Sequence, residues 1–191
     1  MNPLTSKLSV RHGLLIGGIS AVLTIVFYII NPVLQYTNLW LGLFSFAIMI
    51  ALLVILGLDV RKKIGGFWSF GDAYLSLLIM SVIVSAISIL VSFILFKFID
   101  PSLPQKVTDA LADVTSKRME SFGASQSQID EASKQFTDGE MLAKFQPTIL
   151  NEIKNLGIGI IIYAVIDLIL AACIKKKRPM FAAVSDDEVV E

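Results

Sequence analysis

The chain has 191 residues, 16 Lys and Arg against 16 Asp and Glu, 55% hydrophobic and 17% charged residues, and a mean hydropathy of +0.75. Soluble domains carry about a quarter charged residues, so this composition argues against a soluble enzyme, and the balanced charge gives no signal for nucleic acid. A single Cys and a single His exclude a disulfide framework within the chain and limit a Cys/His zinc site to two such ligands.

Crossing roughly 30 Å of hydrocarbon takes about 20 apolar helical residues. The first run that qualifies covers residues 13–30, behind Lys7 and Arg11. Asn31-Pro32 follows it where a signal peptide would show a small-x-small cleavage site, so it reads as a retained anchor. Gly13-x-x-x-Gly17, continued by Ala21, forms a face for close helix approach, a spacing that also occurs in dimerising helices. His12 falls at the edge of this span, where snorkelling or headgroup contact accounts for it. A short uncharged turn over residues 31–38 leads into a second run over residues 39–58. Tyr28, Tyr36 and Trp40 cluster at this end as interfacial aromatics.

The next link reads Arg61-Lys62-Lys63-Ile64-Gly65-Gly66-Phe67-Trp68-Ser69-Phe70-Gly71-Asp72-Ala73. Arg61, Lys62 and Lys63 are candidate lipid-headgroup contacts. Gly65-Gly66 permits a tight reversal, Ser69-x-x-Asp72 has the form of a capping box, and Phe67, Trp68, Phe70 and Tyr74 fit the headgroup level. The segment Gly65-Gly66-Phe67-Trp68-Ser69-Phe70-Gly71-Asp72-Ala73 resembles a signature in a family of small four-span membrane proteins best known from the Bacteroidota and catalogued as a domain of unknown function. Asp100-Pro101, the long segment after it and the final span resemble that family too, over roughly residues 8–178. The resemblance implies a bacterial inner-membrane protein and carries over no activity, cofactor or catalytic residue.

The third apolar run, residues 73–96, bears Ser81, Ser85, Ser88 and Ser92 at spacings that place them on one seam. Residues 101–146 then predict a helical insertion rather than a structureless loop. Leu103, Val107, Leu111, Val114 and Phe122 lie near helical spacing, and Gly123 ends that helix. Ser125-x-x-Gln128 starts a second helix bearing Ile129, Ala132 and Phe136, closed by Asp138-Gly139. Pro147 suits the first turn of a helix leading into the last run, residues 155–174, which contains one carboxylic acid, Asp167. Two readings of Asp167 stand: a neutral carboxyl bonded to another helix, or a proton or cation site lined by the serine seam. Cys173 reads as a small hydrophobe.

These elements predict an all-α fold: a four-helix transmembrane bundle with spans at about 12–31, 39–58, 70–99 and 148–175 and a helical extramembrane insertion between the third and fourth. Residues 1–178 form one membrane domain, and 179–191 read as a disordered cytoplasmic tail. Lys and Arg at the amino end, in the 61–63 link and at residues 175–178 place both termini in the cytoplasm. The function expected is that of a non-enzymatic structural or accessory subunit in the lipid bilayer, meeting a copy of itself or a membrane-complex partner through residues 103–140. The alternative is a small proton- or cation-linked transporter or channel using Asp167 and the serine seam.

Overall fold

The structure, a computed structural model, describes residues 2–137 and 139–176. The expected tail, 179–191, Lys177, Arg178 and the Asp138 part of the expected stop signal lie outside the described residues. Four long apolar helices are present, α1 (Pro3–Ile30), α3 (Leu39–Lys63), α4 (Phe70–Ile94) and α8 (Ile149–Ile174), each long and apolar enough to cross a membrane. The described residues contain no strand, so the fold is all-α. Bilayer chemistry favours this, since a helix satisfies its backbone groups within itself.

Local sequence starts each long helix. Asn2 accepts from the Leu4 amide at 3.1 Å, with Pro3 in the first turn. Asn38 caps Leu41 at 3.1 Å, Ser69 caps Asp72 at 3.1 Å and Thr148 caps Asn151 at 3.3 Å. Each cap satisfies one of the amides left free at a helix start. Gly65 and Gly66 reverse the chain after α3 with φ of 102° and 82°, a conformation that disfavours a side chain.

Helix α4 makes its largest interfaces with α1 and α8, while α3 also touches all three other spans. At the α1–α4 interface, a Cβ on Gly13 would lie 3.1 Å from both the Met80 Cα and the Ile83 Cβ, and one on Gly17 would meet Ile87. The glycine face is therefore used inside the chain, because only hydrogen side chains allow these backbones to approach so closely. Ile16, Leu53, Val60, Leu77, Met80, Ala171 and Ile174 fill a core weighted toward the basic end. The outward faces remain apolar, as with Ile25, Phe44 and Ile161, which suits lipid rather than water.

The other end is built differently. The last turn of α4 widens into a π-helix, Leu95–Ile99, closed by the Asp100 amide donating to the Leu95 carbonyl at 2.8 Å. The insertion follows as α5 (Leu103–Ser121), α6 (Gln126–Thr137) and α7 (Glu140–Phe145). Leu103 and Val107 of α5 join Leu95 and Phe96 in a second core, flanked by Tyr28, Tyr36, Leu111 and Phe145. Ser116 and Ser133 are linked at 3.1 Å between α5 and α6. Asn151 donates to the Ala143 and Gln146 carbonyls at 2.6 and 3.0 Å, tying α7 to α8.

Several expectations need correction. The 31–38 turn contains a one-turn helix, α2 (Leu34–Thr37), and α7 has no counterpart in the apolar pattern. Pro147 stands outside α8, one residue before its cap Thr148. Tyr36 packs against Phe96 and Phe145, each with ring centroids 6.0 Å away. Burial there pushes its phenol up to about 12. Trp68 is only 2% exposed and packs beside Gly57, so it is a core residue rather than an interfacial anchor.

Two stability outcomes follow. Gly13→Leu forces backbone apart at the α1–α4 contact and is expected to cost about 1–3 kcal/mol. Gly18→Leu meets open space and should leave the thermal midpoint of the detergent-solubilised protein unchanged. At the start of the insertion, Lys106 at 2.7 Å, and then Ser102, hold the Asp100 carboxyl below the usual carboxylate range. A depressed folded-state value contributes stability above the unfolded value of about 3.9 and loses it as pH falls through the folded value. The wild-type midpoint should therefore exceed that of Asp100→Asn at pH 6, and the gap should close below about pH 4.

Candidate functional site

Serine inside a helix commonly turns its hydroxyl back onto the carbonyl four residues earlier. Ser9 does so to Thr5 and Ser45 to Leu41, both at 2.8 Å. Ser81 and Ser85 do not. They are 1% and 7% exposed, and neither hydroxyl has a hydrogen-bond partner in the protein. Both lie on the third span, which packs against α8. Ser85 Oγ lies 3.8 Å from where a Cβ on Gly159 would stand.

Asp167 is fully buried, and neither carboxyl oxygen closes a hydrogen bond. Ser81 stands beside the Asp167 carboxyl as a hydrogen-bonding neighbour, short of a closed bond, and Tyr163 interacts with it electrostatically. The α4–α8 interface thus holds one buried carboxyl and two buried hydroxyls that close no hydrogen bond, with Ser81 placed next to Asp167. Such groups are rare in folded interiors and call for a chemical explanation. A bare carboxylate in hydrocarbon is costly, so this group suits a proton or a small hard cation met by oxygen ligands. Five well-formed clefts on the surface are not lined by Asp167, Ser81 or Ser85.

The four serines expected on one seam separate into three environments. Ser88 pairs with Ser20 of α1 at 3.2 Å. Ser92 lines an outer cleft with Tyr36, Phe96, Glu152 and Asn155. Ser81 neighbours Asp167, and Ser85 faces α8 at Gly159. Helical spacing along α4 did not mean a common partner, because α1 and α8 pack on different sectors of that helix.

The basic end holds the second polar constellation. His12 is 5% exposed, with Nε2 2.7 Å from Asp59 Oδ2, and Lys63 donates to the same oxygen at 2.6 Å. His12 Nδ1 is buried without a partner. This corrects the expected headgroup role of His12: α1 begins at Pro3, so His12 sits in its third turn and packs against α3. Below it, Ser9 and Ser76 share a short hydrogen bond between α1 and α4. The sequence allows Asp59 and Asp72 to flank His12 at the inner end, but nothing in its spacing requires the pairing of His12 with Asp59, 47 positions apart. Its only trace was that both polar residues fall at similar depth near the basic end of their helices.

The three candidate headgroup cations also diverge. Arg61 Nη1 donates to the Ile174 carbonyl at 2.8 Å, satisfying an orphan acceptor at the end of α8. Lys63 is held by Asp59, and Lys62 is exposed. Trp68 and Lys176 exchange backbone hydrogen bonds of 2.7 and 2.9 Å, clasping the 64–69 link to the end of α8.

Comparison with curated proteins and with solved structures returns no match. A family model described as "Protein of unknown function (DUF4199)" matches residues 11–176, which takes in most of α1, the other three long helices, the insertion, and the Asp167 and His12–Asp59 groups. The chain belongs to that family, whose match begins within α1 and ends at the Lys176 clasp.

Proposed function

We propose that this multi-pass membrane protein is a non-enzymatic structural or accessory subunit, with its basic end in the cytoplasm and its helical insertion on the opposite side. The observation that carries this reading is the construction of the insertion. Its α5 is seated into the bundle through Leu103 and Val107, yet the far end of the same helix presents Phe122 at 88% exposure. Phe122 shares a cleft of about 610 Å³ with Trp40, Leu39 and Arg118, and Trp40 is 80% exposed. An exposed aromatic pair lining one cleft with an Arg is the composition favoured at protein interfaces. Orientation rests on the Lys and Arg excess at the end formed by residues 61–63 and 175–176.

A photo-crosslinking residue at Phe122 should trap one discrete partner in native membranes, whether a second copy or another subunit, and Phe122→Asp should abolish the corresponding complex on native gels. Monomer alone at Phe122 and neighbouring exposed positions counts against the reading.

The unpartnered oxygens of Asp167, Ser81 and Ser85 favour a second reading, a proton- or cation-linked pathway. It expects Asp167→Asn to abolish a proton- or sodium-driven flux in proteoliposomes. Equal leak from wild-type and variant vesicles removes its support.

A further inference from the structure

Among the described residues, the basic end of the bundle carries seven Lys and Arg: Lys7, Arg11, Arg61, Lys62, Lys63, Lys175 and Lys176. Only two carboxylates among the described residues, Asp59 and Asp72, stand on the same end. Asp59 is engaged by Lys63 and His12, and Asp72 accepts from the Ser69 hydroxyl at 2.9 Å. Arg61 is committed to the Ile174 carbonyl. Lys62, Lys175 and Lys176 are left exposed on one corner.

Two connections hold that corner together. The Arg61–Ile174 bond ties the side chain of the residue preceding Lys62 to the backbone preceding Lys175. The paired backbone bonds between Trp68 and Lys176 lock the adjacent link to the same place. The lysine tips are positioned by aromatic faces: Lys175 Nζ lies 5.7 Å from the Phe70 ring centroid and Lys176 Nζ 5.9 Å from that of Phe67. A ring face attracts an ammonium without cancelling its charge, as a carboxylate would. The corner thus holds positive charge that no carboxylate among the described residues pairs with, where two transmembrane helices end.

We propose that this corner binds the headgroup phosphate of an anionic phospholipid, with Lys62, Lys175 and Lys176 as its cationic ligands. A lipid fits better than a soluble phosphate because apolar surface continues from the charge into the membrane. Phe70 is 40% exposed and stacks at 6.4 Å on Tyr74, and Leu75 is 46% exposed one residue further on. An acyl chain can lie along that strip while the phosphate meets the lysines. Arg61 and Lys63 act here by fixing the corner rather than by touching the lipid.

The test uses the full chain in detergent, with phosphatidylglycerol and phosphatidylcholine titrated separately and followed by native mass spectrometry. The wild-type protein should retain one phosphatidylglycerol in preference to phosphatidylcholine. Each basic residue near an anionic surface contributes on the order of 1 kcal/mol, so Lys175→Gln with Lys176→Gln should weaken phosphatidylglycerol binding about tenfold or more. Lys7→Gln with Arg11→Gln removes the same number of charges from the same end and should change binding by less than about twofold. The Trp68–Lys176 clasp is made by backbone, so the first pair should keep its thermal midpoint; should it unfold, Lys62→Gln with Lys175→Gln gives the same readout. Equal weakening by both charge pairs would mean a diffuse surface potential and overturn the proposal. So would equal retention of the two lipids, or displacement of phosphatidylglycerol by millimolar inorganic phosphate, which would mark a soluble-anion site.

Discussion

Close contact between α1 and α4 is the constraint on which the rest of the bundle depends. In hydrocarbon there is no hydrophobic gain from bringing two apolar helices together, so association rests on packing and on bonds between polar groups. Gly13 and Gly17 let the two backbones approach against Met80, Ile83 and Ile87. That approach in turn brings Ser9 to Ser76 and Ser20 to Ser88. Once α1 occupies one sector of α4, α8 occupies another, and the serines between them are divided accordingly.

The two ends of the bundle solve different problems. At the basic end, helix termini are satisfied by other parts of the protein: Arg61 closes α8, and Trp68 pairs with Lys176. Residues far apart in the chain are locked there, and the positive charge left over is displayed on a fixed frame. At the opposite end, a π-helical turn redirects the chain from α4 into α5, and aromatic packing around Tyr36 seats the insertion. One end is held by polar closure, the other by a small apolar core.

Between those ends, Asp167, Ser81 and Ser85 stand out because they run against the economy of the remainder. Ser9, Ser20, Ser45, Ser76 and Ser88 all have partners. An interface able to satisfy those hydroxyls leaves four oxygens between α4 and α8, two of Asp167 and one each of Ser81 and Ser85, without a closed hydrogen bond. Burial of polar groups without bonds is destabilising, so their presence contrasts with the packing logic that explains the neighbouring serines.

Sequence alone determined the number of long apolar helices, their approximate limits, the glycine reversal after α3, the Ser69 cap and the helical character of the insertion. Each is written in local signals: uninterrupted apolar length, helical periodicity, capping residues and glycine. Asp167 could also be placed inside the bundle, because a carboxyl avoids lipid wherever the helix can turn it inward. The partners were another matter. That Arg61 closes α8 across 113 positions, that His12 meets Asp59, that Trp68 lies in the core, and that Ser88 turns to α1 while Ser85 turns to α8 were settled by tertiary structure. Those outcomes depend on the rotation of each helix about its own axis and on which neighbour occupies each sector. An almost uniformly apolar helix carries little periodic signal for either, so only packing could decide them.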